Sequence, residues 1–274
     1  MTITKEALEH DVETFLAQYR AAHGLAPIWR APLVGFADAH HPLLKAIQER
    51  IPGHALPEDV LPGARIVVVV FVPFAKELAE TNAAAGSASP EWAKAYEDTN
   101  AMFNALNAHL LQRFEAQGFR AAVAQAASTF DREKLISHWS HRHFAYLAGL
   151  GTFGINNMLI TKAGGCGRYT TVVTDLDIAP GAPLETEYCL YKKNGKCGAC
   201  LRRCPAAALT AADGAGHYDR QKCFVILKKN AERYQAFGNS YTNEDGSGAN
   251  SIGSEVCGKC TVHVPCALRA PGMV

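Results

Sequence analysis

The sequence predicts an α+β protein, with an α/β domain over residues 1–180 followed by a small cysteine-rich module over residues 181–274. Three observations carry this prediction. Amphipathic helices and a buried strand alternate in the first part. Pro180 and Pro183 then mark a change in composition. Beyond them lie eight of the nine cysteines, all between residues 189 and 266.

The first part begins with apolar residues at helical spacing over residues 4–22, which predicts an amphipathic helix. A proline-rich segment follows over residues 28–62, with one short helix expected around residues 42–50. Ile66–Val72 is a continuous run rich in β-branched residues, typical of a strand buried on both faces. Residues 75–89 are rich in Ala, Gly and Ser and are expected to form a connection.

A long helix is predicted from Pro90 to Gln117, because proline suits a first helical turn and Gly118 follows as a stop. Residues 121–127 are predicted to form a second strand and residues 133–147 a second helix. Residues 158–161 and 169–174 are expected to pair as strands across a glycine-rich turn.

Gly149, Gly151 and Gly154 form a G-x-G-x-x-G pattern. The dinucleotide fingerprint requires a strand before such glycines and a helix after them. Here a helix-like stretch precedes them and two asparagines follow. The glycines therefore favour a tight turn that allows close backbone approach to a flat or bulky group, with a nucleotide site as the alternative.

The strongest motif is Cys197-x2-Cys200-x3-Cys204-Pro205, which matches the end of a bacterial ferredoxin cysteine run. In that run the early cysteines hold one [4Fe–4S] cluster, and the cysteine before the proline binds a second cluster. Eight thiolates are the number that two clusters need. The first cluster is assigned to Cys189, Cys197, Cys200 and Cys266. The second is assigned to Cys204, Cys223, Cys257 and Cys260.

Structural zinc also uses C-x2-C pairs, but it gives no reason for the C-x3-C-P ending. Disulfides are disfavoured by the odd number of cysteines, the length of the chain and the lack of a secretory segment at its start. Cys166, outside the run, is expected to be a packed or loop residue. His263 is expected at the surface or beside a cluster, because the eight thiolates already suffice.

The net charge of +1 hides an asymmetry. From residue 189 onward there are 12 Lys+Arg against 6 Asp+Glu, whereas the first 188 residues hold 15 against 20. A basic third suggests either nucleic-acid binding or compensation for negatively charged clusters. The second interpretation is favoured for Lys192, Lys193, Lys196, Arg202 and Arg203. No apolar run approaches the ~20 residues of a membrane span, so a soluble, cytoplasmic protein is expected.

Three histidines lie within six residues at His138, His141 and His143. Histidine donates protons near neutral pH, so His138 and His141 are the candidate catalytic residues, placed on one face if the stretch is helical. Metal ligation and an ordinary structural role remain the alternatives. The Gly-, Asn- and Ser-rich stretch over residues 237–255 is expected to be a mobile or functional loop.

Several motifs together resemble the epoxyqueuosine reductase family and the related corrinoid iron–sulfur reductases. The matching stretches are Pro62-Gly63-Ala64-Arg65, Ala148-Gly149-Leu150-Gly151 with Gly154 and Asn157, Thr174-Asp175-Leu176, and the cysteine run with Cys223, Cys257 and Cys260. The resemblance implies a nitroreductase-like domain fused to a ferredoxin-like module, with cobalamin held between them. It also implies that Gly149, Gly151, Gly154 and Asn157 contribute to the cofactor site.

The sequence departs from that family at three places. Residues 135–143 contain no carboxylate where the family has an acidic proton donor, and Ile155 stands where the family has a lysine. The sequence ends at Val274, without the helical extension that the family uses on tRNA. We therefore expect an iron–sulfur oxidoreductase that delivers electrons to cobalamin or a substrate. The alternative is a non-catalytic electron-transfer protein that serves a corrinoid or other redox partner.

The expected partners are a small molecule or modified nucleoside as substrate, and a redox protein of the ferredoxin or flavodoxin type. A tRNA partner remains open.

Overall fold

The structure, a computed structural model, describes residues 3–124, 130–212, 215–240 and 252–272. It is a mixed α/β protein, as the sequence predicts. The α-helices of these residues are α1 (Lys5–Ala22), α2 (Pro42–Arg50), α3 (Pro57–Val60), α4 (Lys76–Thr81), α5 (Pro90–Glu115), α6 (His141–Leu147), α7 (Leu190–Asn194), α8 (Ala199–Arg203) and α9 (Arg220–Arg233). No described helix is both long and apolar enough to cross a membrane.

The β-strands of the described residues fall into one four-stranded sheet and three two-stranded hairpins. They are β1 (Leu33–Asp38), β2 (Ile66–Pro73), β3 (Ala121–Ala122), β4 (Phe130–Asp131), β5 (Ile136–Ser137), β6 (Gly151–Phe153), β7 (Leu159–Thr161), β8 (Gly167–Thr174), β9 (Leu209–Ala212) and β10 (Ala215–Tyr218).

The large sheet has the strand order β1-β2-β8-β3, and each neighbouring pair is antiparallel. β2 lies inside it, with Phe71 opposite Leu33 of β1 and Tyr169 of β8. All eight residues of β2 are buried, so the predicted burial on both faces is confirmed. Its alternate side chains enter two different apolar cores.

Helices cover both faces of this sheet. α1 and α5 pack on one face, where Val68 and Val70 meet Leu106 and Leu110. α6 packs on the other face, where Phe71 meets Phe144. Since burial of each large apolar side chain contributes about 1.5–3 kcal/mol, these two cores hold the first part together.

The predicted helices near residues 4–22, 42–50 and 90–117 are confirmed as α1, α2 and α5. Helices α3 and α4, and strand β1 at the edge of the sheet, were not predicted. Of the strand predicted over 121–127, the described part forms β3, and residues 125–129 lie outside the described residues.

The helix predicted over residues 133–147 is wrong for its first half. The helix begins only at His141, and the preceding residues form the β4–β5 hairpin. The carboxylate of Asp131 accepts hydrogen bonds from the backbone N–H groups of Glu133 and Lys134, and Leu135 has a φ of 55°. This side-chain-to-backbone turn competes with helix formation.

The predicted pairing of residues 158–161 with 169–174 is also wrong. Both stretches are strands, but β7 pairs with β6, whereas β8 lies between β2 and β3 in the large sheet. Strand pairing depends on which buried face each strand completes, and sequence proximity alone misled the prediction.

The cysteine-bearing part is built differently. α7 and α8 have five residues each, and the β9–β10 hairpin connects them to α9. One apolar core joins this part to the first, since Cys200, Leu209 and Val262 pack with Trp92 of α5 and Ile160 of β7. The two parts of the chain are therefore packed on each other.

Candidate metal centres and the adjoining cleft

The first cysteine group surrounds one cavity beside α7 and α8. Cys189, Cys197, Cys200 and Cys266 all line it. Cys189 caps α7, and Gly198, with a φ of 77°, turns the chain between Cys197 and Cys200. The pKa of the Cys200 thiol is raised to about 11, first by burial and then by the charges of Cys189 and Cys197.

Cys266 belongs to the same group although it comes from the end of the chain. Burial raises the pKa of its thiol to about 12, and the charges of Cys200, Cys189 and Cys197 add to the effect. A hydrogen bond from the Gly165 N–H to the Cys266 carbonyl, 2.8 Å long, fixes this segment against the turn after β7. The four cysteines thus lie around one cavity, although the first and last are 77 positions apart in the sequence.

The second cysteine group consists of Cys204, Cys223, Cys257 and Cys260. Burial raises the pKa of Cys257 to about 11, with smaller contributions from Cys223 and Cys204. Burial likewise raises the pKa of Cys260, followed by the charges of Cys257, Cys223, Cys200 and Cys204. Because Cys260 is affected by Cys200 of the first group as well, the two groups are neighbours.

The donor set of each group fits a [4Fe–4S] cluster, which four thiolates hold with one thiolate per iron. Within the described residues, no three His, Cys, Asp or Glu side chains converge on one point as the ligands of a single ion do.

Buried polar contacts anchor the second group to the connection between α4 and α5. The Lys259 ammonium, between Cys257 and Cys260 in sequence, donates to the Asn82 side-chain and backbone oxygens at 2.8 and 3.1 Å. Asn82 in turn donates to the Cys257 carbonyl at 2.8 Å. Lys259 is 2% exposed, and burial lowers its pKa. The charge of Cys257 acts in the opposite direction and raises the pKa of Lys259.

A cleft of about 400 Å³ opens between the sheet and the cysteine-bearing part. This volume lies within the range of small-molecule sites. Its walls combine aromatic, basic and hydroxyl side chains, namely Ile47, Ile51, Tyr96, Phe130, Arg132, Leu135, Ile136, Ser137, Trp139, Ser140, His141, Arg142, His143, Asn157, Tyr218, Arg220, Phe224, Leu227 and Glu255. The cleft therefore offers a ligand both aromatic surfaces and hydrogen-bonding groups.

The structure separates the three histidines. His141 and His143 line the cleft, whereas the His138 ring lies beside Gly53, and the His138 carbonyl accepts a hydrogen bond from Ala55. His138 precedes α6, so the expectation that it shares a helix face with His141 is wrong. Of the two candidate catalytic residues, the structure places only His141 in the cleft.

The pKa values of the cleft histidines differ from that of free histidine. Burial lowers the pKa of His141 to about 4, and the charges of Arg168 and Arg142 lower it further. Burial likewise lowers the pKa of His143 to about 4, with contributions from Arg142 and His54. At neutral pH the His141 imidazole is therefore neutral, unlike the proton donor that the sequence suggests.

Sequence reasoning missed the charged residues of the cleft. Arg132 forms an ion pair with Glu255, with nitrogen–oxygen distances of 2.8–3.2 Å. This pair joins the β4–β5 hairpin to the cysteine-bearing part, and it brings a carboxylate to the cleft wall where the 135–143 segment has none. Arg168 stacks over Tyr96, its guanidinium carbon 3.7 Å from the ring centre. No local signal marks these pairs, which join residues far apart in sequence.

The glycines of the expected cofactor turn pack against the protein's own backbone. A Cβ atom at Gly149 would lie 2.5 Å from the Ala182 carbonyl oxygen, and one at Gly151 only 2.0 Å from that of Ile160. Gly154 borders the cavity of the first cysteine group. Of the four residues that the resemblance assigns to a cofactor, only Asn157 lines the cleft.

The structure also locates three other features for which the sequence makes predictions. Cys166 is fully buried in the core, as expected of a packed cysteine. His263 is exposed, with a φ of 53°. Glu255 is the part of the expected 237–255 loop that reaches the cleft, and residues 241–251 lie outside the described residues.

The sequence and the fold can be compared with those of known proteins. No protein-family model matches the sequence, and a search of curated proteins finds no match either. Among solved structures, epoxyqueuosine reductase from Bacillus subtilis is 19% identical, with a TM-score of 0.51 over 94% of this chain and 66% of that one. The chain thus spans just under two thirds of that protein's length.

Two other similar structures have lower TM-scores. Epoxyqueuosine reductase from Streptococcus thermophilus is 16% identical, with a TM-score of 0.46 over 94% of this chain and 68% of that one. A catabolic reductive dehalogenase in complex with 3-bromo-4-hydroxybenzoic acid is 19% identical, with a TM-score of 0.46 over 70% of this chain and 26% of that one. The resemblance seen in the motifs is confirmed at the level of the fold, which is that of epoxyqueuosine reductase.

Proposed function

We propose that this chain is an iron–sulfur oxidoreductase that passes electrons through two [4Fe–4S] clusters to a ligand in the cleft. The observation that carries the proposal is the arrangement of the eight cysteines in two adjoining groups of four. Fold similarity to epoxyqueuosine reductase supports the same conclusion. The chain would form two functional units, with a division near residue 180.

In this proposal the first cluster is held by Cys189, Cys197, Cys200 and Cys266, and the second by Cys204, Cys223, Cys257 and Cys260. The second group adjoins the cleft, because Tyr218 interacts with the Cys223 thiol and also lines the cleft wall. Electrons would thus enter at the first group and reach the cleft from the second.

The cleft favours the interpretation of the chain as an enzyme over its interpretation as an electron carrier. A carrier needs no concave site of about 400 Å³ with aromatic walls and hydrogen-bonding groups. Cobalamin is the cofactor that the resemblance implies, and the aromatic residues Trp139, Phe130 and Phe224 fit a flat group of this kind. Asn157 and His141 would lie at its polar edges. When bound, cobalamin would supply a metal centre able to accept low-potential electrons.

We propose an acidic redox protein of the ferredoxin or flavodoxin type as the electron donor. Lys192, Lys193, Lys196 and Arg202 are exposed around Cys197, which is itself only partly buried. Such a cluster of cations beside an accessible electron entry point steers an acidic partner by long-range attraction. Association should then weaken as ionic strength rises.

The substrate class follows from the cleft, whose size suits a small molecule or a single modified nucleoside. One similar structure is an epoxyqueuosine reductase with an epoxyqueuosine-modified tRNA stem loop. A tRNA substrate for this chain would require phosphate contacts along the protein surface. To detect such contacts, tRNA binding can be measured at increasing salt with modified and unmodified stem loops. If both bind and both weaken as salt rises, the protein contacts the phosphates.

The cluster assignment is tested by iron and sulfide analysis of anaerobically purified protein, with EPR after reduction. We expect about eight iron atoms per chain, from two four-iron clusters. Cys197→Ser should remove the signal of the first cluster and Cys204→Ser that of the second. Cys166→Ala, in the apolar core, is the matched control and should retain both signals. Four iron atoms, stoichiometric zinc, or identical spectra for the two serine variants would contradict the assignment.

The cofactor is tested separately by anaerobic titration of cluster-replete protein with cobalamin, followed by its visible spectrum. We expect saturable binding that weakens in a Trp139→Ala variant, because Trp139 forms part of the wall. A Phe15→Ala variant, on the opposite face of the sheet, should bind normally. If cluster-replete protein binds neither cobalamin nor flavin, the electron-carrier interpretation replaces the enzyme.

A further inference from the structure

Three side chains at the base of the cleft form a continuous hydrogen-bonded chain. The Trp139 indole Nε1 donates to Thr171 Oγ1 at 2.9 Å, and the same oxygen lies 2.9 Å from His141 Nδ1. Trp139 and Thr171 are each 3% exposed, so water does not compete for these contacts. Thr171 belongs to the central strand β8, which gives the chain a rigid base.

The positions of the hydrogen atoms follow from the donors and acceptors present. An indole N–H only donates, so it uses one lone pair of the Thr171 oxygen. The threonine hydroxyl hydrogen then needs an acceptor, and in the described part of the chain only His141 Nδ1 is in place. A proton on Nδ1 would leave that buried hydroxyl hydrogen unsatisfied, at a cost of about 1–3 kcal/mol. Nδ1 therefore accepts, and the imidazole carries its hydrogen on Nε2.

We infer that Thr171, itself oriented by Trp139, fixes His141 as an Nε2–H hydrogen-bond donor to the ligand of the cleft. The inference rests on the proposed function in taking the cleft as the place of reduction. The His141 ring lines the cleft, and Nε2 has no hydrogen-bond partner among the described residues. His141 would contact the ligand through Nε2, whereas Thr171 positions the His141 ring and the Trp139 indole N–H positions Thr171.

The surrounding charges define what this donor does. Burial of the imidazole opposes a second proton on it, and the nearby charges of Arg168 and Arg142 add to this effect. His141 therefore acts as a neutral N–H donor near neutral pH, and it does not deliver a proton as an imidazolium ion would. A fixed N–H group close to two guanidinium groups stabilises an acceptor that gains negative charge. The ligand class is thus a molecule whose oxygen or other acceptor atom becomes more negative on reduction.

Several other polar groups of the cleft are already engaged in other contacts. His143 Nδ1 lies 2.7 Å from the Ser140 hydroxyl, and Glu255 is paired with Arg132. The Arg142 guanidinium donates to the Asn157 carbonyl at 2.7 Å. Among the cleft histidines, only His141 is tied to the central sheet through its Nδ1 atom, which leaves Nε2 directed away from the sheet.

The inference is tested by two-bond ¹H–¹⁵N correlation spectra of histidine-labelled, anaerobically purified protein, with the His141 signal assigned from its loss in His141→Gln. We expect the Nε2–H tautomer of His141 in the wild type from about pH 6 to about pH 8. Thr171→Val removes the hydroxyl at nearly constant volume and should shift the population toward Nδ1–H. Thr171→Ser restores the hydroxyl and should restore the wild-type spectrum.

Thr170→Val is the matched control, because Thr170 is the next residue of β8 and its hydroxyl contacts Asn107 instead of the histidine. Its His141 signal should remain that of the wild type. If Thr171→Val does not fold, Trp139→Phe serves, since loss of the indole N–H frees the threonine oxygen to accept from Nδ1. An Nδ1–H tautomer in the wild type, or an unchanged tautomer in the folded Thr171 or Trp139 variant, would overturn the inference. Iron analysis is independent of these spectra, so failure of the cluster proposal is distinguishable from failure of this one.

Discussion

Two helices show how differently the two parts of this molecule are stabilised. α5, on the sheet, has 26 residues and buries eleven of its side chains. α9, among the cysteines, has 14 residues and buries only Asn230 and Ala231. α7 buries no side chain and α8 buries only Cys200. The helices of the sheet part therefore bury many side chains, whereas those of the cysteine-bearing part bury few. On our proposal, the clusters supply part of the stability of the cysteine-bearing part.

The sharpest test of this difference is removal of iron. Ligation supplies on the order of 10 kcal/mol to small metal-bound domains, so chelation should unfold most of the described residues between 189 and 266. Hydrogen exchange should then become fast in α9 while β2 and β8 stay protected. Equal loss of protection in both parts would show that they unfold as one unit. Retention of protection in α9 would show that the clusters do not stabilise this part.

The converse test disrupts the sheet part. Phe71 is fully buried in β2, so Phe71→Ala should lower the free energy of unfolding by about 3–5 kcal/mol. Val225 of α9 is 47% exposed, and Val225→Ala should change it by less than about 0.5 kcal/mol. Urea unfolding of both variants measures the contrast. Similar losses would contradict the assignment of the apolar stabilisation to the sheet.

A smaller effect on the free energy of unfolding is expected from protonation of the cleft histidines. His141 and His143 have pKa values lowered to about 4 in the folded chain, mainly by burial. The unfolded chain, with histidine pKa values near 6.5, binds more protons as the pH falls from about 6.5 to about 4. Stability should therefore decrease over this window, by about 2 kcal/mol for the two histidines together after allowance for partial exposure.

Unfolding in urea at about pH 7 and about pH 5 measures this dependence. The double variant His141→Gln, His143→Gln should show a flatter pH profile than the wild type. His217→Gln, at an exposed position in β10, is the control and should keep the wild-type profile. A wild-type slope in the double variant would place the acid-sensitive groups elsewhere.

The smallest expected effect is on the reduction potential of the proposed second cluster, which adjoins the cleft between the two parts. The Tyr218 side chain favours the thiolate form of Cys223, and a group that stabilises negative charge on a cluster sulfur favours the more negative, reduced state. Tyr218→Phe should lower the reduction potential of the second cluster only, by the equivalent of about 1 kcal/mol. EPR-monitored redox titration measures this shift. Tyr146→Phe, on α6, is the control, and a shift of the first cluster's potential would contradict the assignment of Cys223.

The sequence by itself determined the buried strand β2 and the helices α1 and α5 of the sheet part, and it predicted the membership of the two cysteine groups. The β-branched run of β2 and the helical spacing of α1 and α5 are local patterns, and burial follows directly from them. The order and spacing of the cysteines predicted two groups of four, because a short loop can direct neighbouring thiolates to only one cluster. These features depend on residues close together in the chain.

The tertiary structure alone decided the strand partners and the arrangement of the cleft. The β4–β5 hairpin replaced the first half of a predicted helix, and β8 paired within the large sheet. The role of His141 depends on Thr171, 30 positions further along the chain, and the cleft carboxylate comes from Glu255. Such contacts follow from how buried faces are completed when the chain folds, so no periodicity or spacing near His141 or Glu255 encodes them.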